Sequence, residues 1–432
     1  MSPHAHASTS HHQRRPLVPL PRCNSPVQTP THSSRYWLPQ LLALGLLALI
    51  GTLPFWLSDL DLRAAASFYH PAAPDPWWES GKGLWVFFYQ ASPLLSGLIL
   101  LGSLLAIGAG MVWPYWRRRR WSAIFVLAAT LLGPGLVING VFKDYWGRPR
   151  PHQTLDLGGT HAYVPPLART PEFQGKSFPS GHSSVGFALG AFALIWQRRR
   201  PRLALATLIV SAVLGTLLGL GRMTAGDHFL SDVIWSAVMT YAMAFVLYWL
   251  ILRLPQRDNA ARAPLRRLRY PGWSAAAYVL ATALLLFGVL LATPVQETRN
   301  LSIQALPATG PRTLRLVADT ATLILFPLGP TGEAVSIRLK GRGFGLPTNR
   351  VRGRLERTES TLTYTVTHTG VFTERDSSLT VGIEPRAWKR IEMVTKTGDI
   401  RVLPLGQPLP QLDLKTGNGV VLDENRPPDT PR

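Results

Sequence analysis

A single cysteine, Cys23, stands in the 432 residues. An intrachain disulfide is therefore impossible, and a cysteine-built zinc or iron–sulfur centre is excluded. Acidic residues are also few: 24 Asp and Glu against 45 Lys and Arg leave a net charge of +21. Such basicity can serve nucleic-acid binding or fix the topology of a membrane protein. The distribution decides between the two. Basic residues gather in short clusters between long uncharged runs, and mean hydropathy is slightly positive. That pattern excludes nucleic acid as the partner and implies a bilayer. Residues 1–35 are polar, rich in His, Pro and Ser, and lack apolar periodicity, as expected of a disordered tail. His4, His6, His11 and His12 belong to that tail and read as part of it rather than as a metal site. No cleavable signal is evident, because the first apolar run begins after Arg35 and is long enough to span.

A hydrocarbon core about 30 Å thick needs about 20 helical residues. Seven runs qualify or nearly so: Tyr36 to Leu57, a stretch within Gly83 to Trp116, Trp121 to Phe142, His182 to Gln197, Leu203 to Gly221, Val233 to Leu252, and Tyr270 to Gln296. The fourth is short, and its start is expected at the membrane surface. Arg117–Arg120 follow the second run, Arg198, Arg199, Arg200 and Arg202 the fourth, and Arg253, Arg257, Arg262, Arg266, Arg267 and Arg269 the sixth. These alternate connections lie on one side, which the excess of cations makes the cytoplasm. Arg14, Arg15, Arg22 and Arg35 put the N-terminus there too, whereas the first loop holds Asp59, Asp61, Asp75 and Glu79. The expected topology is N-terminus in, C-terminus out.

From about Glu297 the character changes. Alternating runs such as Thr361-Leu-Thr-Tyr-Thr-Val-Thr367 read as strands. Lys396-Thr-Gly-Asp399 and Lys415-Thr-Gly-Asn418 each precede a short apolar run, a hint of a repeated strand–turn unit. A small all-β domain, sandwich or solenoid, is expected outside the membrane.

Two cationic, histidine-bearing loops fall on the outer side against the charge rule. One holds Lys143-Asp-Tyr-Trp-Gly-Arg-Pro-Arg-Pro151 and Pro179-Ser-Gly-His182; the other holds Arg222-Met-Thr-Ala-Gly-Asp-His228-Phe-Leu-Ser-Asp232. A lone arginine near a membrane end is usually a snorkelling anchor, and a lone loop histidine is usually structural. Three cations, two histidines and a carboxylate on one face suit phosphoryl transfer instead, which needs cations and N–H donors around the phosphoryl oxygens. Lys143, Arg150 and Arg222 can supply the cations. Ser180 and Gly181 stand where a loop becomes a helix, whose free N–H groups collect anions. His228 and Asp232 are four apart, so in a helix the carboxylate can accept one imidazole N–H and leave the other nitrogen nucleophilic. His182 can then protonate the leaving oxygen and activate water.

These motifs, Lys-x6-Arg-Pro, Pro-Ser-Gly-His and Arg-x5-His-x3-Asp, resemble the type 2 phosphatidic acid phosphatase family, which includes bacterial acid phosphatases and vanadium haloperoxidases. The resemblance covers about residues 36 to 252. It implies His228 as nucleophile, Asp232 as its orienting carboxylate, and His182 as acid. Lys143, Arg150, Ser180, Gly181 and Arg222 would hold the phosphate, with no metal or cofactor. One departure is Gly221, where the family usually has Ser. Arg148 competes with Arg150 for the phosphate role, and the Lys-x6 spacing favours Arg150. Asp144 and Asp227 read as ion-pair partners of nearby cations rather than metal ligands.

The expected architecture is a mostly α polytopic membrane protein. It comprises a cytoplasmic tail (1–35), a six-span catalytic core (36–252), a basic cytoplasmic loop (253–269), a seventh span (270–296) and an extracytoplasmic all-β domain (297–432). The expected activity is hydrolysis of a membrane lipid phosphate (phosphatidate, phosphatidylglycerol phosphate, undecaprenyl diphosphate or lipid A type) through a phosphohistidine, in a bacterial inner membrane. Lipid-to-lipid phosphotransfer would use the same site. A non-enzymatic anchor for the β-domain is the remaining alternative.

Overall fold

The computed structural model describes residues 34–71, 73, 75–170, 175–260, 271–304, 312–329 and 333–426. The tail with its histidines and Cys23, and Arg262, Arg266, Arg267 and Arg269 of the basic loop, lie outside the described residues.

The helical unit opens with α1 (Ser34–Ile50), α2 (Leu53–Leu57) and α3 (Leu60–Ala66). Pro54 sits in the first turn of α2, where a missing N–H costs nothing. Next come α4 (Gly83–Val112) and α5 (Pro114–Thr130). The latter runs on through a wide-turn π segment, Leu131–Phe142, into α6 (Lys143–Tyr145). Gly133-Pro134-Gly135 lies in that segment, and Pro134 cannot donate an α-helical hydrogen bond. The remainder are α7 (Gly181–Ala188), α8 (Gly190–Trp196), α9 (Pro201–Met223), α10 (Leu230–Val246), α11 (Leu254–Ala260) and α12 (Pro271–Leu291).

Among the described residues six rods are long and apolar enough to cross a bilayer: Arg35–Leu57, Gly83–Val112, Pro114–Tyr145, Pro201–Met223, Leu230–Ile251 and Gly272–Leu291. The expected fourth span is the shorter Gly181–Trp196. Every residue of its first half, α7, is buried within the protein. A Cβ on Gly186 would stand 2.4 Å from the Gly215 nitrogen of α9. Paired glycines thus let these two helix backbones touch.

The last rod ends at Leu291 rather than Gln296, and Thr293–Gln296 already belong to a strand. Pro294 disfavours helical geometry at the residue before it. The segment pairs instead with a partner strand from Thr293 onward. The strands are β1 (Thr293–Ile303), β2 (Thr313–Thr320), β3 (Thr322–Pro327), β4 (Val335–Gly345), β5 (Arg350–Arg357), β6 (Thr361–Thr369), β7 (Phe372–Ile383), β8 (Arg390–Thr397), β9 (Ile400–Val402), β10 (Gln411–Asn418) and β11 (Val421–Asp423).

They form two packed sheets, ordered β1-β4-β7-β3-β9-β11 and β10-β8-β2-β6-β5. The pairs β2/β3, β6/β7, β8/β9 and β10/β11 each run from one sheet to the other and stack in parallel, as rungs of a solenoid do. The two Lys-Thr-Gly sequences are corners of adjacent rungs: the Gly398 N–H donates to Asn418 O at 2.9 Å. Gly398 takes φ +133°, and a Cβ there would meet Ala321 O at 2.2 Å. Sandwich and solenoid are thus both apt. Leu314, Leu316, Leu323, Leu325, Ile337 and Leu339, fully buried or nearly so, fill the space between the sheets from alternate positions of their strands.

Candidate active site

Four helix termini meet at one end of the helical unit. α6 ends the long third rod with Lys143, α7 begins at Gly181, α9 ends beside Arg222, and α10 begins just after His228. The arginine clusters 117–120 and 198–202 stand at the opposite ends of these rods.

His228 is 1% exposed. Its Nδ1 faces Ser177 O at 2.6 Å, which requires Nδ1 to carry the proton, and its Nε2 has no partner. Asp232 lies on the same face of the chain, but its Oδ2 is 3.8 Å from Nδ1. The sequence-based expectation that Asp232 accepts the imidazole N–H is therefore modified: the Ser177 carbonyl takes that role. Asp232 Oδ2 accepts from Ser177 Oγ at 2.6 Å and from Phe229 N at 2.8 Å. It orients His228 through Ser177 and the backbone and adds a nearby negative charge. Burial nonetheless pushes the His228 pKa below its usual value, against the attraction of Asp232, with Lys143 and Arg222 acting in the same direction as burial.

His182 occupies the first turn of α7, 6% exposed, and its Nε2 also lacks a partner. Its ring stacks on Tyr89 with centroids 5.2 Å apart and packs at 5.2 Å against Phe344. Ser180 precedes it; its N–H donates to Asp232 O and its carbonyl accepts from Ser236 Oγ. At Gly181 a Cβ would meet Asn139 Oδ1 at 2.4 Å. A Cβ here would thus have to displace the Asn139 amide, beside crowding any approach by phosphate.

Of the cations, Arg148 separates cleanly from the rest. Fully buried, it donates to Asp232 Oδ1 (2.5 Å), Asp61 Oδ2 (2.8 Å), Ser231 Oγ (2.9 Å) and Val164 O (2.8 Å). Its donors are committed between two carboxylates, which makes Arg148 a structural clamp. Asp61, entered in the sequence reading only as an acid of the first loop, is the second jaw. It also accepts from Ser231 N and Oγ and from Tyr163 OH. Nothing in its local sequence signals this.

Lys143 and Arg222 stand near both histidines, Arg150 is joined to Lys143 through Glu374, and carboxylates hold all three. Arg222 Nη2 lies 3.0 Å from Asp227 Oδ2, with Tyr89 beneath the guanidinium at 4.8 Å. Asp227 also faces Arg342 at 3.4 Å and Arg150 at 3.5 Å. Burial works to raise its pKa, but these arginines hold it well below the usual carboxylate range. The expected ion-pair role of Asp144 is seen with Lys176 at 2.9 Å. His152, Asp227 and Asp376 are close enough to share a cation, yet Asp227 is already surrounded by arginine. At Gly221 a Cβ would meet only ordinary contacts, the nearest Trp85 at 3.5 Å, so the departure from Ser is not forced by space.

The β-sandwich reaches into this site. Glu374 Oε2 accepts from Lys143 Nζ at 2.7 Å, Glu374 Oε1 pairs with Arg150, and Asp376 Oδ2 accepts from Arg150 Nη1 at 2.5 Å. Tyr89 OH donates to Gly343 O at 3.3 Å. Beside these contacts a cavity of about 620 Å³ opens between the two units, lined in part by His152, Asp227, Lys340, Arg342, Asp376 and Arg401. Sequence reasoning missed all of the β-domain residues here. Glu374 and Asp376 share a strand face by spacing, but only the register brings them opposite Phe344 and Arg342.

The PAP2 superfamily matches residues 121–256, a span that includes every motif above. The lipid A 4'-phosphatase of Francisella tularensis subsp. novicida is 32% identical over 198 residues, covering 45% of this chain and 87% of that protein. The phosphatidylglycerophosphatase B of Bacillus subtilis is 27% identical over 156 residues, 35% of this chain and 66% of that protein. A solved PAP2-type phosphatidylglycerolphosphate phosphatase from Bacillus subtilis is 20% identical, covers 53% of this chain and 98% of that one, and has a TM-score of 0.31. This chain belongs to the PAP2 superfamily. It is an integral-membrane phosphoric-ester hydrolase of the lipid phosphatase kind, with a C-terminal all-β unit that lies outside the family match.

Proposed function

We propose that the enzyme removes a phosphate monoester from a lipid A-type glycolipid at the extracytoplasmic face of a bacterial inner membrane. The observation that carries the chemistry is the pair of buried imidazoles, His228 and His182, each with an unpartnered Nε2 and both near Lys143 and Arg222. The His228 Nε2 lone pair attacks phosphorus, forming a P–N bond as the ester P–O bond breaks. His182, entering this step as the imidazolium, gives its Nε2 proton to the departing oxygen and becomes the neutral base. A water then attacks phosphorus while His182 takes one of its protons, the P–N bond breaks, and inorganic phosphate leaves. Lys143, Arg150, Arg222 and the free N–H groups at the start of α7 stabilise the charge on the equatorial oxygens.

The glycolipid class is supported by the Francisella relative, most of whose length this chain covers. The orientation is supported by the arginine clusters at the opposite rod ends. Purified protein should release phosphate from lipid A 4'-phosphate in mixed micelles faster than from phosphatidylglycerophosphate or phosphatidate, and the His228→Ala form should release none. A preference for a glycerophospholipid would replace the substrate class. Equal rates in the His228→Ala form would remove the mechanism.

A further inference from the structure

Two of the three cations read as phosphate ligands, Lys143 and Arg150, are already paired by the protein itself, whereas Arg222 keeps a buried Nε without a partner. Glu374 and Asp376 stand two apart on β7 and so share one face of the strand. Directly across the register, Phe344 pairs with Glu374 and Arg342 with Asp376 on β4. These four side chains enter the site as one patch. The Glu374 carboxylate bridges Lys143 and Arg150, Asp376 takes the other arm of Arg150, Phe344 lies over His182, and Arg342 binds Asp227. Two carboxylates carry the same charge as a phosphate dianion and use the donors a phosphate would use.

We propose that the β-sandwich is an autoinhibitory plug, in which Glu374 and Asp376 occupy the phosphate subsite and must withdraw before a phosphorylated lipid can bind. The inference rests on the reading of Lys143 and Arg150 as phosphate ligands. The sandwich is held in place by further polar contacts away from the histidines: Thr160 with Asp399 (2.6 Å), Arg401 with Gly159 O (3.0 Å) and Lys340 with Asp75 (3.0 Å). A plug of this kind is separable from chemistry, because its carboxylates touch cations and neither imidazole nitrogen. It keeps the site closed until a ligand competes successfully for the cations.

The test uses the full chain in detergent, with inorganic phosphate as the binding probe and p-nitrophenyl phosphate as a soluble ester. With the closed state dominant, apparent affinity is reduced by the open fraction, so the E374Q/D376N form should bind phosphate at least about tenfold more tightly. It should also turn over the ester with a correspondingly lower KM. In the wild-type chain, saturating phosphate should increase amide hydrogen exchange across Phe372–Asp376, a readout that does not depend on the variant folding. Unchanged or weaker phosphate binding in a folded variant, or unchanged exchange in wild type at saturating phosphate, overturns the plug. Loss of ester turnover in the variant would make Glu374 part of the reaction and would also overturn it. If neither wild type nor variant binds phosphate, and Lys143→Ala and Arg150→Ala behave identically, the phosphate-site reading falls and the plug with it.

Discussion

Lys143, at the end of the third long rod, and Glu374, on a strand of the C-terminal sandwich, are joined by a 2.7 Å ion pair across 231 positions of sequence. Burial favours the neutral acid, yet Lys143 and Arg150 overcome it and hold the Glu374 pKa well below the usual carboxylate range. Glu374 is therefore held as the carboxylate. The strength of the pair is electrostatic and buried, so moderate salt screens it less than it would an exposed pair.

The two imidazoles are expected to differ from each other in consequence. Replacing His228 by Ala removes the proposed nucleophile and should abolish turnover and trapping of a phosphoenzyme alike. Replacing His182 by Ala removes proton transfer, which contributes about 10²- to 10⁴-fold; a phosphoenzyme should still form from an ester with a good leaving group. Rapid quenching with labelled p-nitrophenyl phosphate distinguishes the two, and label on the His228→Ala protein would contradict the assignment.

Arg148 and Arg150 are two positions apart and should fail in different ways. Arg148→Ala leaves Asp61 and Asp232 buried without their cation, a loss of about 3–5 kcal/mol for breaking such a network. Thermal unfolding in detergent should show it as a large drop in midpoint. Arg150→Ala should instead raise the apparent constant for phosphate with a smaller change in midpoint. Equal midpoints for the two variants would refute the clamp role of Arg148.

The lowered His228 pKa gives a signed expectation. Because the fold disfavours the imidazolium, the unfolded chain binds more protons between the lowered value and the usual one near about 6.5. This residue's contribution to stability therefore rises with pH through that window and is level above it. Below the window, His228 becomes protonated at Nε2 and loses its nucleophilic lone pair. The groups facing it are Asp232, Lys143, Arg222 and His182. Nitrogen-15 imidazole NMR, with His228 assigned by its disappearance in His228→Gln, should give a midpoint below about 6.5. A midpoint above that value would mean that Asp232 outweighs burial.

Gly181 and Asn139 form a testable steric pair. Asn139 Nδ2 donates to Pro134 O at 2.7 Å, which pins the amide where a Cβ on residue 181 would need to be. Gly181→Ala should shift the start of α7 and depress kcat. Adding Asn139→Ala opens the space and should recover a large part of the loss, as neighbouring sites are non-additive. No recovery in the double variant would mean that the glycine answers to the phosphate alone.

Much of the helical unit was legible because its signals are local. Uncharged runs of bilayer length mark rods whatever their neighbours, and the three motifs carry their chemistry in short spacings. The Gly181–Trp196 helix was legible as apolar but not as internal, since a buried helix and a lipid-facing one share hydropathy and differ in what packs around them. Leu291 ends the last rod for a reason that was readable in Pro294.

Charge distribution, run length and short-range spacing need no tertiary contact to be meaningful, and they already mark the membrane class, the superfamily motifs and the strand-rich tail. Only in the folded chain does Ser177 rather than Asp232 take the His228 N–H, Arg148 lie between Asp61 and Asp232, and Glu374 and Asp376 pair with Lys143 and Arg150. Each of those depends on two distant segments arriving at hydrogen-bonding distance, and a carboxylate's partner is set by geometry that no linear spacing encodes.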